Sequence, residues 1–354
     1  MTNWKLEPLL LKFELETKKV LKRLPKAHAA LAELKGIAQT IPNQNILINT
    51  LGLQEAKDSS EIENIITTHD DLYKSELNLI SSIESKEVQN YIEALKHGFE
   101  LVKKNNLLTS NSIIKIQGKI EKNKAGFRKV PGTVLKNAKT GETVYKPPQD
   151  HKDILSLMKN LEKFINDDSL SDLDPIVKMG VIHLQFESIH PFYDGNGRTG
   201  RIINILYLIN QKLLNLPILY LSNYIIKNKE KYYELLQKVR NENEWEEWLM
   251  YIIDSVEKTS LDTIQLIGQI KELMKNSKLE LKKGYKFYSQ DLLNNLYKHP
   301  YSKIEYLVND LNVSRITAAN YLNQLAKDGM LRKEKLGKSN YYINEKLFEL
   351  LKKR

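Results

Sequence analysis

The sequence predicts an all-α protein that carries one small β-hairpin and ends in a winged helix-turn-helix domain. Apolar residues recur at spacings of three and four along most of the 354 residues, and glycine and proline cluster in few places. After about residue 280 the pattern changes to two short helices followed by two extended runs. At about 150 residues per domain, this length allows two or three domains.

Composition narrows the classes of protein to which the chain can belong. A hydrophobic content of 41% and a charged content of 28% indicate a folded globular chain. The absence of cysteine excludes disulfides, thiolate catalysis and zinc fingers. Charged residues interrupt the apolar runs too often for a signal peptide or a membrane span, so we expect a cytoplasmic protein without a membrane partner.

Three central segments have recognisable patterns. Residues 126–148 read GFRKVPGTVLKNAKTGETVYKPP, and two short β-branched runs around a glycine-containing turn predict a protruding β-hairpin. Two buried-looking helices follow, one from Pro175 with PIVKMGVIHLQFESI and one from Arg198 with RTGRIINILYLINQKLL. The glycines just before Arg198 therefore lie in the junction between two helices.

The last part of the chain predicts a separate module. We expect residues 256–284 to form a helical linker and residues 285–354 to form the winged helix-turn-helix domain, with Ser314 as the N-cap of the second helix and Gly329 at its end. In that helix the expected buried stripe is Ile316, Ala319, Leu322 and Leu325, and the expected outward residues are Arg315, Thr317, Ala318, Tyr321 and Gln324. In the predicted wing, Lys335 and Lys338 flank Gly337 and are suited to contact phosphates.

The loop at residues 190–201, HPFYDGNGRTGR, combines groups that suit a nucleotide phosphate. A helix N-terminus has unpaired N–H groups and a partial positive charge, and the Gly-Asn-Gly run at 195–197 lets an anion approach the backbone. Arg198 and Arg201, three residues apart, are expected to hold phosphate oxygens from one side.

The same loop supplies a metal ligand and a base. Asp194 is suited to Mg²⁺, which binds through one or two carboxylates together with substrate phosphates. His190 is available as a base near neutral pH. Together these groups predict attack by a hydroxyl on a nucleotide phosphate, that is, phosphoryl or nucleotidyl transfer. The P-loop and dinucleotide-binding motifs do not occur in the sequence.

Two other interpretations of these residues stay open. The glycines can simply form a tight turn between helices, with both arginines in surface ion pairs. His183, Glu187 and His190 share one face of a continuous helix and have the spacing of a transition-metal site. A core pair of His183 and Glu187 that steadies the loop is the alternative to that site.

The loop resembles the complete signature of the Fic-domain family, H-P-F-x-[D/E]-G-N-G-R-x-x-R. The resemblance extends from the hairpin to YYELLQKV and WEEWL, and it implies a Fic-type helical catalytic core over residues 101–255. In such a core the hairpin 126–148 is a flap that aligns a target segment by strand addition; a plain hairpin without that role is the alternative. The loop resembles the AMP-transferring branch, since the Doc kinase branch carries a lysine at the position of Gly197.

The resemblance implies a protein adenylyltransferase that moves AMP from ATP to a Ser, Thr or Tyr hydroxyl of a target protein, with Mg²⁺. His190 would deprotonate the hydroxyl that attacks the α-phosphate, and pyrophosphate would leave. Asp194 would coordinate Mg²⁺ between the α- and β-phosphates. The anion hole would be lined by Gly195, Asn196 and Gly197, and the outer phosphates would be held by Arg198 and Arg201.

A second motif, SSEIENI, resembles the inhibitory motif of Fic proteins, [S/T]-x-x-x-E-[G/N]. Ser59 and Glu63 lie one helical turn apart on one face, and Asn64 follows. A carboxylate delivered to Arg201 would occupy the donors that the γ-phosphate needs, so residues 1–100 are expected to form an N-terminal helical segment that inhibits the enzyme. The alternative is that Ser59 caps a helix and Glu63 points to water.

The competing function is that of a DNA-binding transcriptional regulator whose first domain only senses a nucleotide. Residues 278–354 contain 16 Lys/Arg and 8 Asp/Glu, so +8 of the formal net charge of +10 lies there, although a general excess of lysine gives the same bias. Partners are thus ATP, a hydroxyl-bearing protein and, on this alternative, DNA; a homo-oligomer remains an option. Tyr232 and Tyr233 are candidates for an adenine contact and equally good core aromatics.

Overall fold

Helices dominate the computed structural model, which describes residues 6–11, 13–76, 82–137, 140–336 and 339–352. Only five short strands occur in those ranges, so the predicted all-α class with small β elements is confirmed. The helices are α1 (Lys18–Ala38), α2 (Asn45–Ile62), α3 (His69–Glu76), α4 (Ile83–Asn105), α5 (Ser110–Ile120), α6 (His151–Asn166), α7 (Pro175–Ile189), α8 (Asn196–Asn210), α9 (Leu221–Lys227), α10 (Lys229–Glu242), α11 (Trp245–Gly284), α12 (Gln290–Lys298), α13 (Ile304–Leu311), α14 (Arg315–Lys327) and α15 (Glu345–Lys352). The strands are β1 (Leu135–Lys136), β2 (Thr143–Tyr145), β3 (Tyr301–Ser302), β4 (Arg332–Leu336) and β5 (Ser339–Ile343).

Two consecutive helices, α7 and α8, form the centre of the core. Every residue from Ile176 to Ile189 of α7 is buried, and so are most residues of α8, because other helices surround both. Helix α7 begins at Pro175 behind Asp174, whose carboxylate accepts the Ile176 N–H at 2.8 Å. Since burying one Leu or Ile side chain contributes about 1.5–3 kcal/mol, this pair is a firm base for the loop between its members.

The hairpin predicted over residues 126–148 is present. Strands β1 and β2 are antiparallel, with Leu135 opposite Tyr145 and Lys136 opposite Thr143. Residues 138 and 139 of its turn lie outside the described residues. The base of the hairpin is tied to the core by Arg128, whose backbone N–H donates to Pro191 O at 2.8 Å. The role of the hairpin as a flap stays a prediction.

Helix α11 runs without a break through 40 residues, about 60 Å at 1.5 Å per residue. The segment 256–284 that we expected to be a linker forms most of this helix, up to its C-terminal end. Arg23 of α1 bonds to Asp254 and Glu257 of α11, each at 2.6 Å, so α11 belongs to the packed body on at least part of its length. The domain boundaries at residues 100, 255 and 284 stay a prediction.

The C-terminal segment has the order α12, β3, α13, α14, β4, β5, α15, and its three strands pair antiparallel in the order β3-β5-β4. This is the element order expected of a winged helix-turn-helix module, and the assignment stays a prediction that the order supports. Ser314 caps α14 as predicted, because its Oγ accepts the Thr317 N–H at 3.1 Å. Gly337 and Lys338 of the predicted wing lie outside the described residues.

The buried face of α14 differs from the expected stripe. Ala318, Leu322 and Leu325 are buried at spacings of four and three, whereas Ile316 is 74% exposed. Two positions along a helix differ by about 200° in direction, so a stripe centred on Ala318 places Ile316 on the opposite face. The predictions that Ile316 is buried and Ala318 faces outward were therefore wrong.

This segment packs on α2 and α3. Gln54 of α2 donates to the backbone oxygen of Leu351 at 3.0 Å, and the ring of Tyr73 stacks on Tyr301 at 5.5 Å between centroids. In the described part of the chain, no helix is long and apolar enough to cross a membrane.

Candidate active site

The loop between α7 and α8 is shaped by two left-handed backbone positions. His190 ends α7 with φ of +47°, and its N–H donates to Phe186 O at 3.0 Å. Gly195 precedes α8 with φ of +75°, a conformation that glycine adopts without steric cost. Helix α8 begins at Asn196, two residues before the predicted start. No side chain caps it, so its first N–H groups are available to an anion.

Phe192 and Asn196 hold this loop from inside. The Asn196 side chain accepts the Phe192 N–H and donates to Phe192 O, both at 2.9 Å. Phe192 is fully buried among Phe127 and Phe186, as expected for an anchor. The Asn196 side chain thus faces the loop, and only its backbone N–H belongs to the helix terminus. The loop is therefore rigid before any ligand binds.

Arg201 is enclosed by Ser59 and Glu63 of the N-terminal segment. Its side chain is 1% exposed; Nε donates to Ser59 Oγ at 2.8 Å, and Nη2 donates to Ser59 O at 2.8 Å and to Glu63 Oε1 at 2.9 Å. Burial alone would lower the pKa of Arg201, but the Glu63 carboxylate and nearby acidic groups raise it above its usual value. The two residues one turn apart therefore do share one face, and both face Arg201. The alternative in which Glu63 points only to water was wrong.

The Glu63 carboxylate lies directly against the N-terminus of α8. A Cβ on Gly197 would collide with Glu63 Oε1 and lie 3.0 Å from Arg201 Nη1. Only glycine at position 197 permits so close an approach to the backbone. Asn64, in left-handed conformation, follows Glu63 and accepts a bond from Lys229 Nζ at 3.1 Å. A negatively charged group therefore occupies the place where we expected an anion.

Arg198 points away from Arg201 and meets two acids that the sequence did not single out. Nη1 lies 2.9 Å from Glu87 of α4, and Nη2 lies 2.7 Å from Glu121 at the end of α5. Its side chain is 4% exposed. Both arginines are buried and pair with separate sets of partly exposed acids, so the alternative of ordinary surface pairs was wrong. The expectation that both hold phosphate oxygens from one side stays a prediction. No local pattern signals Glu87 or Glu121, because both reach Arg198 from other helices.

Asp194 lies at the solvent edge of the site. Its side chain is 79% exposed, and Oδ1 accepts the Gly195 N–H at 2.7 Å. Within the described ranges, no cluster of three acidic, histidine or cysteine side chains that suits a metal occurs. A lone exposed carboxylate fits Mg²⁺ only in the mode in which phosphate oxygens and water complete the coordination shell.

His190 is held through its backbone by Arg128 and has a ring nitrogen without a hydrogen-bond partner among the described residues. Arg128 Nε donates to His190 O at 2.9 Å, and the buried Nδ1 atom has no hydrogen-bond partner among the described residues. Burial lowers the pKa of His190 to about 4, and the positive charges of Arg240 and Arg128 add to this effect. The imidazole is therefore unprotonated at neutral pH and able to accept a proton, although it is a weaker base than the sequence led us to expect.

The residues of the transition-metal alternative are not arranged as ligands. His183 contacts Tyr232 Oη at 2.8 Å and Asn204 Nδ2 at 3.0 Å, so both ring nitrogens are engaged. Glu187 makes no pair with His183; its Oε1 has no partner among the described residues, and burial raises its pKa to about 7. Tyr232 is a core residue, whereas Tyr233 is 43% exposed.

Comparison with known proteins yields three family matches along the chain. Residues 21–100 match the N-terminal region of the Fic/DOC family, residues 107–208 match the Fic/DOC family itself, and residues 272–347 match the C-terminal domain described as protein adenylyltransferase SoFic-like. A segment of 115 residues, 32% of this chain, is 32% identical to the protein adenylyltransferase Fic of Drosophila erecta. It spans 21% of that relative's length, about a fifth.

Solved structures show the same fold. A Fic family protein from Desulfovibrio desulfuricans G20 matches with a TM-score of 0.60 and 18% identity, over 95% of this chain and 97% of the other. A Fic domain containing signaling protein from Bacteroides thetaiotaomicron matches with a TM-score of 0.52 and 17% identity, over 70% of this chain and 95% of the other.

Proposed function

Since this chain belongs to the Fic/DOC family, we propose that it is a protein adenylyltransferase that moves AMP from ATP to a Ser, Thr or Tyr hydroxyl of a target protein. One observation carries the proposal. An unprotonated, half-enclosed imidazole, His190, lies six residues before the first residue of an uncapped helix, and a buried arginine of that helix is neutralised by a carboxylate. On this proposal the imidazole faces the reacting hydroxyl, and the adjacent helix N-terminus and arginine bind the phosphates.

The reaction balances with the groups of this loop. The target oxygen forms a bond to the α-phosphorus, the bond from that phosphorus to the bridging oxygen breaks, and pyrophosphate leaves. His190 accepts the proton of the attacking hydroxyl. The N–H groups of residues 196–198 stabilise the charge on the phosphate oxygens, which is the main contribution that a protein makes to this chemistry. Asp194 would hold Mg²⁺, which neutralises the charge of the leaving pyrophosphate when bound.

We further propose that Ser59 and Glu63 inhibit this reaction. Glu63 bonds to Arg201 and lies against Gly197, so the carboxylate and the terminal phosphate of ATP compete for the same donors. ATP that binds without displacing Glu63 is then held in a pose that does not react. Helix α2 thus carries the inhibitor within the same chain.

The proposal is tested with labelled ATP. The full chain with Glu63→Gly is incubated with Mg²⁺ and either α-labelled or γ-labelled ATP, and a full chain with His190→Ala serves as acceptor. Protein label from the α position alone, with a mass increase of one AMP, is the expected result. Label from the γ position alone would instead establish kinase chemistry and overturn the proposal.

A second activity, DNA binding, is favoured by the exposed surface of α14. Arg315, Asn320, Asn323, Gln324 and Lys327 are exposed beside Ile316. Cations and amides are the side chains that contact phosphates and base edges, and an apolar side chain can contact a thymine methyl group. We propose that this face binds duplex DNA in addition to the catalytic role of the core.

A further inference from the structure

A buried arginine of α10 joins the hairpin to the end of α7. Arg240 Nε donates to Ser188 Oγ at 3.1 Å, and the guanidinium lies 4.2 Å from the centre of the Tyr145 ring in β2. The Tyr145 hydroxyl in turn donates to Ser188 O at 2.9 Å. Ser188 is two residues before His190, so three elements meet immediately behind the imidazole.

A second bond from the same helix fixes the same strand. Gln237, one turn before Arg240, donates to Val144 O at 2.7 Å and accepts a bond from Arg240 Nη1 at 3.2 Å. The register of β2 relative to α10 is therefore set by a backbone contact at Val144 and a ring contact at Tyr145.

The charge of Arg240 is costly where it lies. Its side chain is buried, and within the described ranges no carboxylate oxygen lies within 4.0 Å of the guanidinium. Arginine does not lose its proton in proteins, and a buried charge without an opposite partner destabilises the fold. Because the buried charge of Arg240 does not stabilise the fold, we expect Arg240 to have another role.

The charged groups that face His190 indicate the role of Arg240. Arg240 from α10 and Arg128 from the hairpin are the cations, and Glu63 from the end of α2 is the anion. Both cations favour the neutral imidazole, which is the form that accepts a proton.

We propose that Arg240 is a positioning residue that locks strand β2 of the hairpin to the turn before His190, so that a hydroxyl presented along the hairpin meets the imidazole at a fixed distance. The inference rests on the proposed function. It assigns the hairpin and the base to one unit: Arg240, Gln237 and Tyr145 place a target chain bound along the hairpin relative to the base, in addition to the bonds from Arg128 to His190 O and Pro191 O.

The test separates the charge of Arg240 from its contacts by two substitutions. Both are made in the full chain with Glu63→Gly; the full chain with His190→Ala is the acceptor, and ATP carries the α-label. Arg240→Met removes both the charge and the contacts of Arg240, so AMP incorporation should fall at least ten-fold. Because the lost cation favoured the neutral His190 imidazole, the acid limb of the pH profile of incorporation should move up by about half a pH unit or more. Arg240→Lys keeps the charge, so incorporation should fall while the acid limb stays in place. Affinity for ATP, measured by calorimetry, should change less than about three-fold in both.

Tyr145→Phe provides a variant that does not disturb the buried charge. It removes the hydroxyl that donates to Ser188 O and should lower incorporation several-fold at unchanged melting temperature. If Arg240→Met and Tyr145→Phe both show the AMP incorporation and the acid limb of the parent, the inference is overturned and the proposed function is not affected. A parent with Glu63→Gly that transfers no AMP to any acceptor would overturn the proposed function and this inference with it.

Discussion

At the scale of single residues, the contact between Glu63 and Arg201 has the most direct consequence for activity. Glu63→Gly removes the carboxylate from the α8 N-terminus and frees the Arg201 guanidinium for phosphate. AMP incorporation should rise at least several-fold, measured by mass spectrometry after incubation with ATP and Mg²⁺. Glu61→Gly, two residues earlier and paired with Lys57 at 2.9 Å, is the matched control and should leave the rate unchanged. An unchanged rate in Glu63→Gly would dismiss the inhibitory role.

His190 is the second residue with a clear expectation. His190→Ala should abolish AMP transfer in the chain with Glu63→Gly, because it removes the unprotonated imidazole that is proposed to accept the hydroxyl proton. The fold should persist, since the ring Nδ1 makes no hydrogen bond among the described residues. Circular dichroism and melting temperature check the fold, and His97→Ala on α4 serves as the control. Retained transfer in His190→Ala would remove this residue from the role of base.

Glu55 links helix α2 to its neighbours and is expected to affect stability in a testable pH range. It accepts bonds from Tyr91 at 2.9 Å and from Ser222 Oγ at 2.5 Å, and burial raises its pKa from 4.5 to about 7. For an acid with a raised folded pKa, the stabilising contribution is complete below pH 4.5 and is lost as the pH rises through about 7.

The free energy of unfolding of the wild type, relative to that of Glu55→Gln, should therefore decrease by on the order of 2 kcal/mol between pH 4.5 and pH 8. Urea titrations at several pH values measure this difference. The exposed Glu93→Gln should show no such trend. A wild type that gains stability relative to Glu55→Gln over the same interval would contradict the burial argument.

At the scale of elements, helix α14 is the proposed DNA-binding surface. The full chain should bind random duplex DNA with an affinity that falls steeply with salt, because phosphate contacts release counterions. Arg315→Ala should weaken binding and lower the slope by about one contact, whereas the exposed Lys275→Ala on α11 should do neither. Fluorescence anisotropy at 50–200 mM salt, on the order of physiological strength, is the measurement. No binding at the lowest salt would remove this activity.

Helices α7 and α14 differ in how much of their structure could be predicted from the sequence. Helix α7 is buried on every side, so its type was predictable from length and apolar content, but its neighbours were not. Helix α14 was predicted as a helix with the correct N-cap, yet its buried face was misjudged because Ile316 looked like a core residue. An apolar residue on an exposed face is an ordinary source of such an error, since hydrophobic type does not decide direction.

At the scale of the whole molecule, α2 connects two distant parts. Its C-terminal end carries Ser59 and Glu63, while Gln54 bonds to α15 and α12 packs on its middle. The C-terminal segment is thus held against the helix that blocks Arg201. The aromatic cluster of Tyr73, Tyr301 and Phe348, with centroid distances of 5.5–5.8 Å, closes this contact.

Tyr73→Ala should loosen that contact. Removing a buried aromatic ring costs about 3–5 kcal/mol, so calorimetry should show a lower melting temperature, with the C-terminal segment released first. Leu279→Ala on α11, where the side chain is exposed, is the control and should change stability by about 0.5 kcal/mol or less. An unaltered calorimetric trace for Tyr73→Ala would show that this cluster contributes little to the contact.

The sequence by itself determined the helical class, the hairpin, the loop 190–201 and the pairing of Ser59 with Glu63 on one face, because spacing along a helix and the backbone demands of Gly195 are local properties. Only the tertiary structure decided that Glu63 reaches Gly197, that Glu87 and Glu121 hold Arg198 apart from Arg201, and that Arg240 lies behind His190. These contacts join residues at least 50 positions apart. Their distances, and the burial that lowers the pKa of His190, follow from how helices pack and not from any spacing along the chain.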